Sequence, residues 1–422
     1  MDAQRKSDQD HAEFDGERWL LGLEMFGIDF GLDRIELLLE SLGGPQELPG
    51  LVHVVGSNGK SSVTRMIAAI LREHGMEVGA YLSPHFVSYT ERVLINGDPT
   101  DTEAFSDAAR EVRDQATELE RAHPALGPVT QFEALTAIAF VELNRAKVEA
   151  AVIEAGLGGR LDATNVIESK VQVCTSISLE HTELLGETVA AIAGEKLAVV
   201  RPGGTLVVPA DLHPDALAVA AERCSVQGAR LVVAGRSAPP GLAAGGSFQR
   251  ANFALAAAAA HALLGSLDAS AVTRAASGLV VPGRYELVSS DPKTIFDGAH
   301  NGEGAAALSA SLAGEEHGGR VVGVLSVLDD KDAEVMLRTL GACSDQLIFT
   351  RATHPRALDP AALMQINERL GGPSAWVIES PHDALHEGRL AAGEDGLVYA
   401  AGSLYLIADL KRDRDAAGGS TL

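Results

Sequence analysis

The sequence predicts an α/β protein of two domains, each built around a mostly parallel sheet. Three observations support this prediction. A short apolar strand, 51–55, runs into a glycine-containing loop and then into a helix. Strand and helix patterns alternate along both halves of the chain. The alternation restarts at Val281-Pro282-Gly283-Arg284, so we place the domain boundary at about Gly283.

At 422 residues, the chain is long for one domain and suited to two. The polar, charged residues 1–16 predict a disordered lead. Residues 17–283 then form the first domain and residues 284–422 the second, smaller one. The hydrophobic content of 46% supports a full core in each domain.

In the first domain, hydrophobic periodicity predicts the elements in chain order. The predicted helices are Trp19–Phe26, Asp33–Leu42, Ser61–His74, Thr102–Arg121, Gln131–Asn144, Thr188–Val200, one between the last two strands, Gln249–Leu264 and Ala269–Leu279. The predicted strands are Leu51–Val55, Val78–Leu82, Ala150–Glu154, Val171–Ile177, Thr205–Val208 and Arg230–Val233.

In the second domain, strands separated by helices are predicted at Tyr285–Val288, Lys293–Phe296, Val321–Leu325, Leu347–Thr350 and Leu397–Ala400. This alternation again indicates a mostly parallel sheet.

The charge balance limits the class of partner. The net charge is −24, from 34 basic and 58 acidic side chains, which argues against nucleic acid as a partner.

The three cysteines show neither disulfide nor zinc spacing and suit a reducing cytoplasm. The polar N-terminal residues lack a signal peptide pattern, and no apolar run is long enough to span a membrane. We therefore expect a cytoplasmic protein, and a monomer by default.

The segment Gly56-Ser57-Asn58-Gly59-Lys60-Ser61-Ser62 lies between a strand and a helix, the context that a phosphate-binding loop requires. Its glycines let backbone N–H groups turn inward, and the helix N-terminus attracts negative charge. Lys60 can reach terminal phosphates, and a hydroxyl can face Mg²⁺. The usual first glycine is replaced by Val54, so the loop is a shorter variant. The alternative is an ordinary glycine turn.

Polar residues follow three other predicted strands of this domain: Ser83, Glu154 and His181. Ligands of open α/β sheets bind where strands end. Hydroxyl and carboxylate oxygens together with nucleotide phosphates suit Mg²⁺. The alternatives are a turn residue before Pro84, a solvated strand terminus and a surface-loop histidine.

A second glycine-rich loop, Gly156-Leu157-Gly158-Gly159-Arg160, follows Glu154. We interpret it as a place of close backbone approach to a ligand, with Arg160 and Asp162 maintaining its shape. The alternative is a flexible connection.

The second domain contributes Phe296-Asp297-Gly298-Ala299-His300-Asn301 at the end of a strand. Asp297 can bind ribose hydroxyls or orient a neighbour, and His300 starts the next helix. Arg284 at the domain junction can place a guanidinium on a phosphate.

These motifs together resemble the folylpolyglutamate synthase family, with or without dihydrofolate synthase activity, in the Mur ligase superfamily. The resemblance covers residues 31–409 and rests on ordered motifs. These are Gly31-Leu32-Asp33-Arg34-Ile35, the Gly56–Ser62 loop, Ser83-Pro84-His85 with Glu91-Arg92, 154–166, His181, Glu195-Lys196, 249–252, Gly283-Arg284-Tyr285-Glu286, 297–301, Asp330-Lys331-Asp332 and Gly402-Ser403-Leu404-Tyr405.

The resemblance implies an ATP-binding domain of phosphate-loop type, a smaller C-terminal α/β domain, and an active site in the cleft between them. It implies two Mg²⁺ sites with Ser83, Glu154 and His181 as ligands, and a carbamate on Lys196 that supplies oxygen to the metal. The implied nucleotide-binding residues are Gly56, Ser57, Asn58, Gly59, Lys60, Ser61, Ser62, Asn252 (at adenine), Arg284, Asp297 and His300. The implied catalytic residues are Lys60, Lys196, Arg284 and His300.

The implied reaction is the ATP-dependent addition of L-glutamate to folate, and possibly to dihydropteroate, through an acyl phosphate. Two alternatives stay open: a related Mur-type ligase acting on another carboxylic acid, and a nucleotide-binding module without catalysis.

The chain departs from the family pattern at Ser61, where glycine is usual, and at Glu180, where aspartate is usual. The loop itself resembles that of the peptidoglycan ligase that adds D-glutamate. Only 55 residues precede Gly56, fewer than a nucleotide-sugar-binding domain needs, so we expect the folate branch.

Overall fold

The computed structural model describes residues 14–23 and 31–412. These residues divide into two compact α/β units. The first contains the described residues up to Arg236 together with Ala254–Ala275, and the second contains Ser237–Phe253 and the described residues from Ala276 onward. The boundary predicted near Gly283 stays a prediction; the compact units assign 237–253 and 276–283 to the second unit.

The first unit is built on an eight-stranded sheet, ordered β4-β3-β2-β5-β1-β6-β7-β8. Neighbours from β2 to β8 are parallel, whereas β3 and β4 add an antiparallel edge. The strands are β1 Leu51–Val55, β2 Val78–Tyr81, β3 Val93–Ile95, β4 Asp98–Pro99, β5 Ala150–Glu154, β6 Val171–Cys174, β7 Thr205–Val208 and β8 Arg230–Val233.

Helices and two apolar clusters cover this sheet. One cluster includes Leu51, Tyr81 and Ile153, and the other includes Val55, Cys174 and Leu206. The helices are α1 Gly16–Leu23, α2 Asp33–Ser41, α3 Lys60–Glu73, α4 Thr102–Ala122, α5 Gln131–Arg145, α6 Thr182–Leu185, α7 Val189–Lys196, α8 Pro214–Gln227, α9 Phe248–Leu264 and α10 Ala269–Ser277. The residues of α9 through Phe253 and the last two residues of α10 belong to the second unit.

The central strands bring the predicted site residues to one edge. Strand β1 lies between β5 and β6, with Val54 beside Glu154 and Val55 beside Cys174. Strand β2 lies on the other side of β5 and runs in the same direction. Because these four strands are parallel, the phosphate loop, Ser83, Glu154 and the residues after β6 all follow carboxyl ends at the same edge. The expectation that they share one side of the sheet is confirmed.

The second unit is built on a six-stranded sheet, ordered β13-β12-β11-β14-β10-β9, in which only β9 is antiparallel to its neighbour among the described strands. Its strands are β9 Glu286–Ser290, β10 Lys293–Phe296, β11 Val321–Leu325, β12 Gln346–Phe349, β13 Ser374–Val377 and β14 Leu397–Ala401. Its further helices are α11 Gly302–Leu312, α12 Ala333–Gly341, α13 Pro360–Leu370, α14 Pro381–Ala392 and α15 Leu404–Lys411.

The N-terminal segment differs from the prediction. The disordered lead expected for 1–16 does not extend to its last residues, because Gly16 already begins α1. A Cβ atom at Gly16 would lie 2.8 Å from the Cβ of Ala109, which shows how closely α1 packs on α4. Phe14 packs under the guanidinium of Arg113, 4.3 Å from the ring centroid. Residues 1–13, and 24–26 of the helix expected to reach Phe26, lie outside the described residues.

In the described ranges, the helices are all too short or too polar to cross a membrane.

Candidate functional site

The phosphate loop begins at Gly56, where the backbone adopts a φ of 147°. A Cβ atom here would lie 2.0 Å from Thr175 Oγ1 and 3.0 Å from its backbone nitrogen. Only glycine fits, because both the backbone conformation and the distance to Thr175 exclude a side chain. Gly59, with a φ of 85°, then forms the N-cap of α3. Both positions therefore need glycine for the backbone conformation, and their role in phosphate binding stays a prediction.

The loop is held to the residues that follow β6. Ser57 N donates to Ser176 O at 2.9 Å, and Asn58 N donates to Ser176 Oγ at 2.9 Å. Thr175 Oγ1 donates to Asn58 O at 2.6 Å. The amides at 57 and 58 thus bond within the protein, so the start of α3 is the part of the loop suited to an anion. There, the amides of the first turn have no intrahelical acceptor.

Two lysine ammonium groups meet at the carbonyl oxygen of Gly56. Lys60 Nζ lies 3.0 Å from this oxygen, and Lys196 Nζ, from the end of α7, also lies 3.0 Å from it. Lys196 is only 2% exposed and pairs with Glu180 Oε1 at 3.2 Å. The site therefore concentrates positive charge at the loop where a phosphate chain would bind.

The pKa directions follow from this clustering. Burial and then the Lys60 charge lower the pKa of Lys196, although the Glu180 carboxylate opposes them. Burial acts to raise the pKa of Glu180, but the charges of Lys196 and Lys60 and a hydrogen bond from Ser57 outweigh it, so this pKa is lowered. Glu180 is thus held as a carboxylate, while Lys196 is shifted toward its neutral amine.

Glu154 forms an oxygen-rich cluster beside the loop. Its carboxylate is 1% exposed; Ser61 Oγ donates to Oε1 at 2.9 Å and Ser83 N donates to Oε2 at 3.2 Å. Both of these donors are neutral groups. Carboxylate and hydroxyl oxygens are the ligands that Mg²⁺ prefers. The donor chemistry at Glu154 therefore fits such an ion.

Arg92 orients the Ser83 side of this cluster. It is buried, its Nη1 donates to Ser83 Oγ at 3.3 Å, and its Nε donates to His85 Nδ1 at 2.9 Å. Its guanidinium also lies 5.6 Å from the centroid of the Tyr89 ring. Glu91 accepts hydrogen bonds from the amides at 86, 87 and 88, which maintains the intervening turn.

The glycine-rich loop after Glu154 is rigidly held rather than a flexible connection. Asp162 Oδ2 accepts from Leu157 N at 2.8 Å, and burial raises the pKa of this carboxyl despite its hydrogen bonds. Arg160 pairs with Glu195 at 2.8 Å. A Cβ atom at Gly159 would lie 2.5 Å from Lys196 O, so the loop packs directly on the Lys196 backbone. The predicted shape-maintaining roles of Arg160 and Asp162 agree with these contacts.

His181 follows β6 and has a left-handed φ of 48°. Its carbonyl accepts from the amides of Leu184 and Leu185, both at 2.9 Å. Across the described ranges, no three His, Cys, Asp or Glu side chains are grouped as a metal site would require. The oxygen cluster of Ser61, Ser83 and Glu154 has a single carboxylate. The ligand roles expected for His181 and Lys196 stay predictions.

In the second unit, the predicted residues converge on the end of β10. Asp297 is buried; its Oδ1 accepts from Ala299 N and its Oδ2 from Tyr285 N, both at 2.8 Å. Burial raises the pKa of Asp297 to about 6, although Arg284 opposes the shift. A Cβ atom at Gly298 would lie 2.2 Å from Arg284 Nη1, so the guanidinium lies directly against this glycine. Asp297 therefore orients its neighbours, one of its two predicted roles.

Two other predicted nucleotide-binding residues also lie in this unit. His300 Nδ1 is 2.8 Å from the carbonyl of Gly298, which assigns the proton to Nδ1. Asn252 Nδ2 donates to Gln249 Oε1 at 2.9 Å, one turn earlier on α9. Their contact with a nucleotide stays a prediction.

Sequence reasoning missed three contributions to the first-unit site. Thr175 and Ser176, which hold the phosphate loop, were included in a longer predicted strand. Glu180 was noted as a departure from the family but not as the partner of Lys196. Their position in the sequence was the one signal that could have identified them, because all three follow β6, the strand adjacent to β1.

Two domain families match this chain. The Mur ligase middle domain matches residues 54–240, and the Mur ligase glutamate ligase domain matches residues 283–404. The dihydrofolate synthase/folylpolyglutamate synthase of Bacillus subtilis is 32% identical over 94% of this chain and 98% of its own length. The structure of Mycobacterium tuberculosis folylpolyglutamate synthase complexed with ADP superposes with a TM-score of 0.86 at 32% identity, covering 94% of this chain and 100% of that one.

Some relatives are longer. The probable bifunctional folylpolyglutamate synthase/dihydropteroate synthase of Haloferax volcanii is 33% identical over 93% of this chain, which spans only 49% of that protein. The matched domains, the extent of the similarity and the shared fold together show that the chain belongs to the dihydrofolate synthase/folylpolyglutamate synthase family of Mur ligases.

Proposed function

We propose that this protein is an ATP-dependent ligase that joins L-glutamate to a folate carboxyl group, and that it also accepts dihydropteroate. The observation that carries the proposal is the convergence of Lys60, Lys196 and Glu154 at one sheet edge. Two ammonium groups lie on the Gly56 carbonyl, and the buried Glu154 carboxylate accepts a hydrogen bond from Ser61, the residue after Lys60. An ordinary glycine turn needs none of these groups.

The reaction requires activation because a carboxylate resists nucleophilic attack. The γ-phosphate of ATP is transferred to the substrate carboxylate, giving an acyl phosphate and ADP. The amine of glutamate then attacks the acyl carbon, the amide forms, a proton is lost and inorganic phosphate leaves. Lys60 and the α3 N-terminus offset the phosphate charge during transfer.

Mg²⁺ bound by Glu154 and Ser83 would supply positive charge at the phosphate oxygens. Ser61 and Arg92 orient these two residues, since each donates a hydrogen bond to one of them. We assign His181 to a second ion, in keeping with the family resemblance.

We also propose that Lys196 is carbamylated in the active protein. Its lowered pKa favours the neutral amine, which attacks CO₂ to form an N–C bond and releases a proton. The carbamate oxygens suit a hard cation, as an amine does not. Because the new group is negative, it must exchange its present pairing with Glu180 for a cation. Bicarbonate depletion should lower activity, and full activity of Lys196→Ala would contradict the proposal.

In the second unit, we assign Arg284, Asp297 and His300 to the nucleotide, and we assign Asn252 to adenine. The Nδ1 proton of His300 is donated to Gly298 O, so in the neutral ring Nε2 carries the lone pair. The cleft expected between the two domains stays a prediction. An Arg284→Met variant with unchanged ADP affinity and unchanged turnover would remove this assignment.

The deciding experiment measures phosphate release from ATP with glutamate, with and without tetrahydrofolate or dihydropteroate. Release should depend on glutamate and on a folate compound, and ¹⁸O in the substrate carboxylate should appear in the phosphate. Release that ignores both folate compounds would favour a Mur-type ligase for another acid. ADP binding without turnover of any acid would favour a binding module. We further propose that the enzyme is a cytoplasmic monomer, which sedimentation and cell fractionation would test.

A further inference from the structure

One polar side chain in the strand that carries the phosphate loop has no role in the proposed reaction. His53 is fully buried in β1, where its neighbours are apolar. Leu51 and Val55, on the same face of the strand, belong to two different apolar clusters. His53 therefore lies between two hydrophobic cores, a costly position for an imidazole.

A directed hydrogen-bond chain begins at this residue. Thr164 Oγ1 donates its one proton to Asp162 Oδ1, so the same oxygen must accept from His53 Nε2, 2.8 Å away. His53 is thus the neutral Nε2–H tautomer. In agreement, burial and then Arg201 lower the pKa of His53 to about 3.

The other ring nitrogen shows that packing alone does not explain the histidine. His53 Nδ1 is buried and lacks a hydrogen-bond partner among the described residues. An unsatisfied buried acceptor is destabilising, because it loses its hydrogen bonds to water on folding and gains none in return. A leucine would fill the space between the two cores without this cost.

The far end of this hydrogen-bond chain, Asp162, reaches the glycine-rich loop. Asp162 accepts from the amides of Gly156 and Leu157, the second and third residues after β5. The same loop packs on Lys196 through Gly159, and Arg160 N donates to Glu195 O at 3.0 Å. A displacement of the loop would therefore move the Lys196 backbone relative to the phosphate loop.

We infer that His53 is a positioning residue: through Thr164 and Asp162, it holds the glycine-rich loop, and with it Lys196, in place relative to the strand that ends in the phosphate loop. The kcat readout of this inference rests on the proposed function. The placement of the glycine-rich loop does not rest on it, because hydrogen exchange measures that placement separately.

The test compares His53→Leu and Thr164→Val, which break the chain, with His53→Gln and Thr164→Ser, which keep a donor and a hydroxyl. Gln172→Leu is the matched control. Gln172 is fully buried in β6 opposite His53, bonds to Ser169, and also has an unsatisfied acceptor.

We expect kcat for glutamate-dependent phosphate release to fall at least about tenfold in His53→Leu and in Thr164→Val. The double variant should have a kcat no lower than that of either single variant, because both substitutions break the same hydrogen-bond chain. The Kd for ADP should stay within about threefold, since β1 and α3 still form the phosphate loop. His53→Gln and Thr164→Ser should recover most of kcat, and the control should lose stability without this loss of kcat.

Equal losses of kcat and ADP affinity, additive effects, or a similar kcat loss in Gln172→Leu would overturn the inference. If the wild-type protein turns over no folate compound, the proposed function fails, and hydrogen exchange still decides the inference. In that case, His53→Leu must speed exchange at residues 156–160 more than the control does, while residues 56–62 stay protected. Unchanged exchange at 156–160 would refute it.

Discussion

Replacing Gly56 by alanine tests whether the phosphate loop has the shape that the structure assigns. The added Cβ would lie 2.0 Å from Thr175 Oγ1 and 3.0 Å from Thr175 N, with a φ of 147°. The Thr175 side chain would have to rotate and lose its 2.6 Å hydrogen bond to Asn58 O. Backbone strain costs about 1–3 kcal/mol, and the lost hydrogen bond costs about 0.5–1.5 kcal/mol. The expected total is about 1.5–4.5 kcal/mol.

The strain lies within the loop, so it should weaken nucleotide binding as well as folding. If ADP binding must restore the native loop shape at a cost of about 2 kcal/mol, the Kd for ADP rises about 30-fold. Calorimetric titration with ADP measures this directly. Urea unfolding followed by Trp19, in a Trp376→Phe background, measures the stability of the first unit, since these are the two tryptophans of the chain.

Gly75→Ala is the control. Gly75 also has a left-handed φ, of 86°, at the end of the same helix, but no atom lies within 4 Å of the position that its Cβ would take. Gly75→Ala should lower the free energy of unfolding only by the cost of placing alanine in a left-handed conformation, about 1–2 kcal/mol. Its ADP affinity should be unchanged. Adding Thr175→Ala to Gly56→Ala should restore part of the affinity, because the 2.0 Å contact disappears. Equal ADP affinities for Gly56→Ala and Gly75→Ala would refute the reasoning.

Three further predictions concern charge. Arg34→Met breaks the buried 2.8 Å ion pair with Glu133 and should destabilise the first unit by about 3–5 kcal/mol in urea unfolding; Arg338→Met, at an exposed pair, should cost under about 1 kcal/mol. Because the pKa of His53 is lowered to about 3 by burial and Arg201, the unfolded state binds the extra proton, so stability is lost as pH falls below about 6.5. From pH 7 to pH 4, wild type should lose about 3 kcal/mol more than His53→Gln, and parallel losses would contradict this. Lys60→Met should raise the Kd for ADP about 10- to 150-fold, whereas Arg72→Met at the other end of the helix should leave it unchanged.

Most regular elements could be predicted from local patterns. Strands such as Leu51–Val55, Ala150–Glu154 and Val321–Leu325 have the predicted bounds, because each is a mainly apolar run bounded by polar or glycine residues. Strand Ser374–Val377 was missed, since it lies at the sheet edge and is partly exposed, with no apolar run to mark it. The short strands Val93–Ile95 and Asp98–Pro99 were also missed, because two or three residues are too few to show a hydrophobic period.

The candidate site also has a part that local sequence patterns predicted and a part that they did not. Gly56–Ser62 was recognisable because strand, glycines, lysine and helix follow one another within a few residues. The partners of these residues come from distant parts of the chain: Ser176 holds Asn58 across 118 positions, and Lys196 reaches Gly56 across 140. Such contacts depend on strand order, which local periodicity does not specify.

By itself, the sequence determined the α/β class, the phosphate loop and which strand ends carry reactive side chains, because these follow from hydrophobic period and local turn chemistry. The tertiary structure decided which of those residues meet. The parallel order β2-β5-β1-β6 places Glu154 beside Ser61 and Lys196 beside Lys60. It also turns His53, a single polar residue in an apolar strand, into one end of a buried hydrogen-bond chain. Burial and neighbouring charge then set the pKa directions, and both exist only once the strands have assembled.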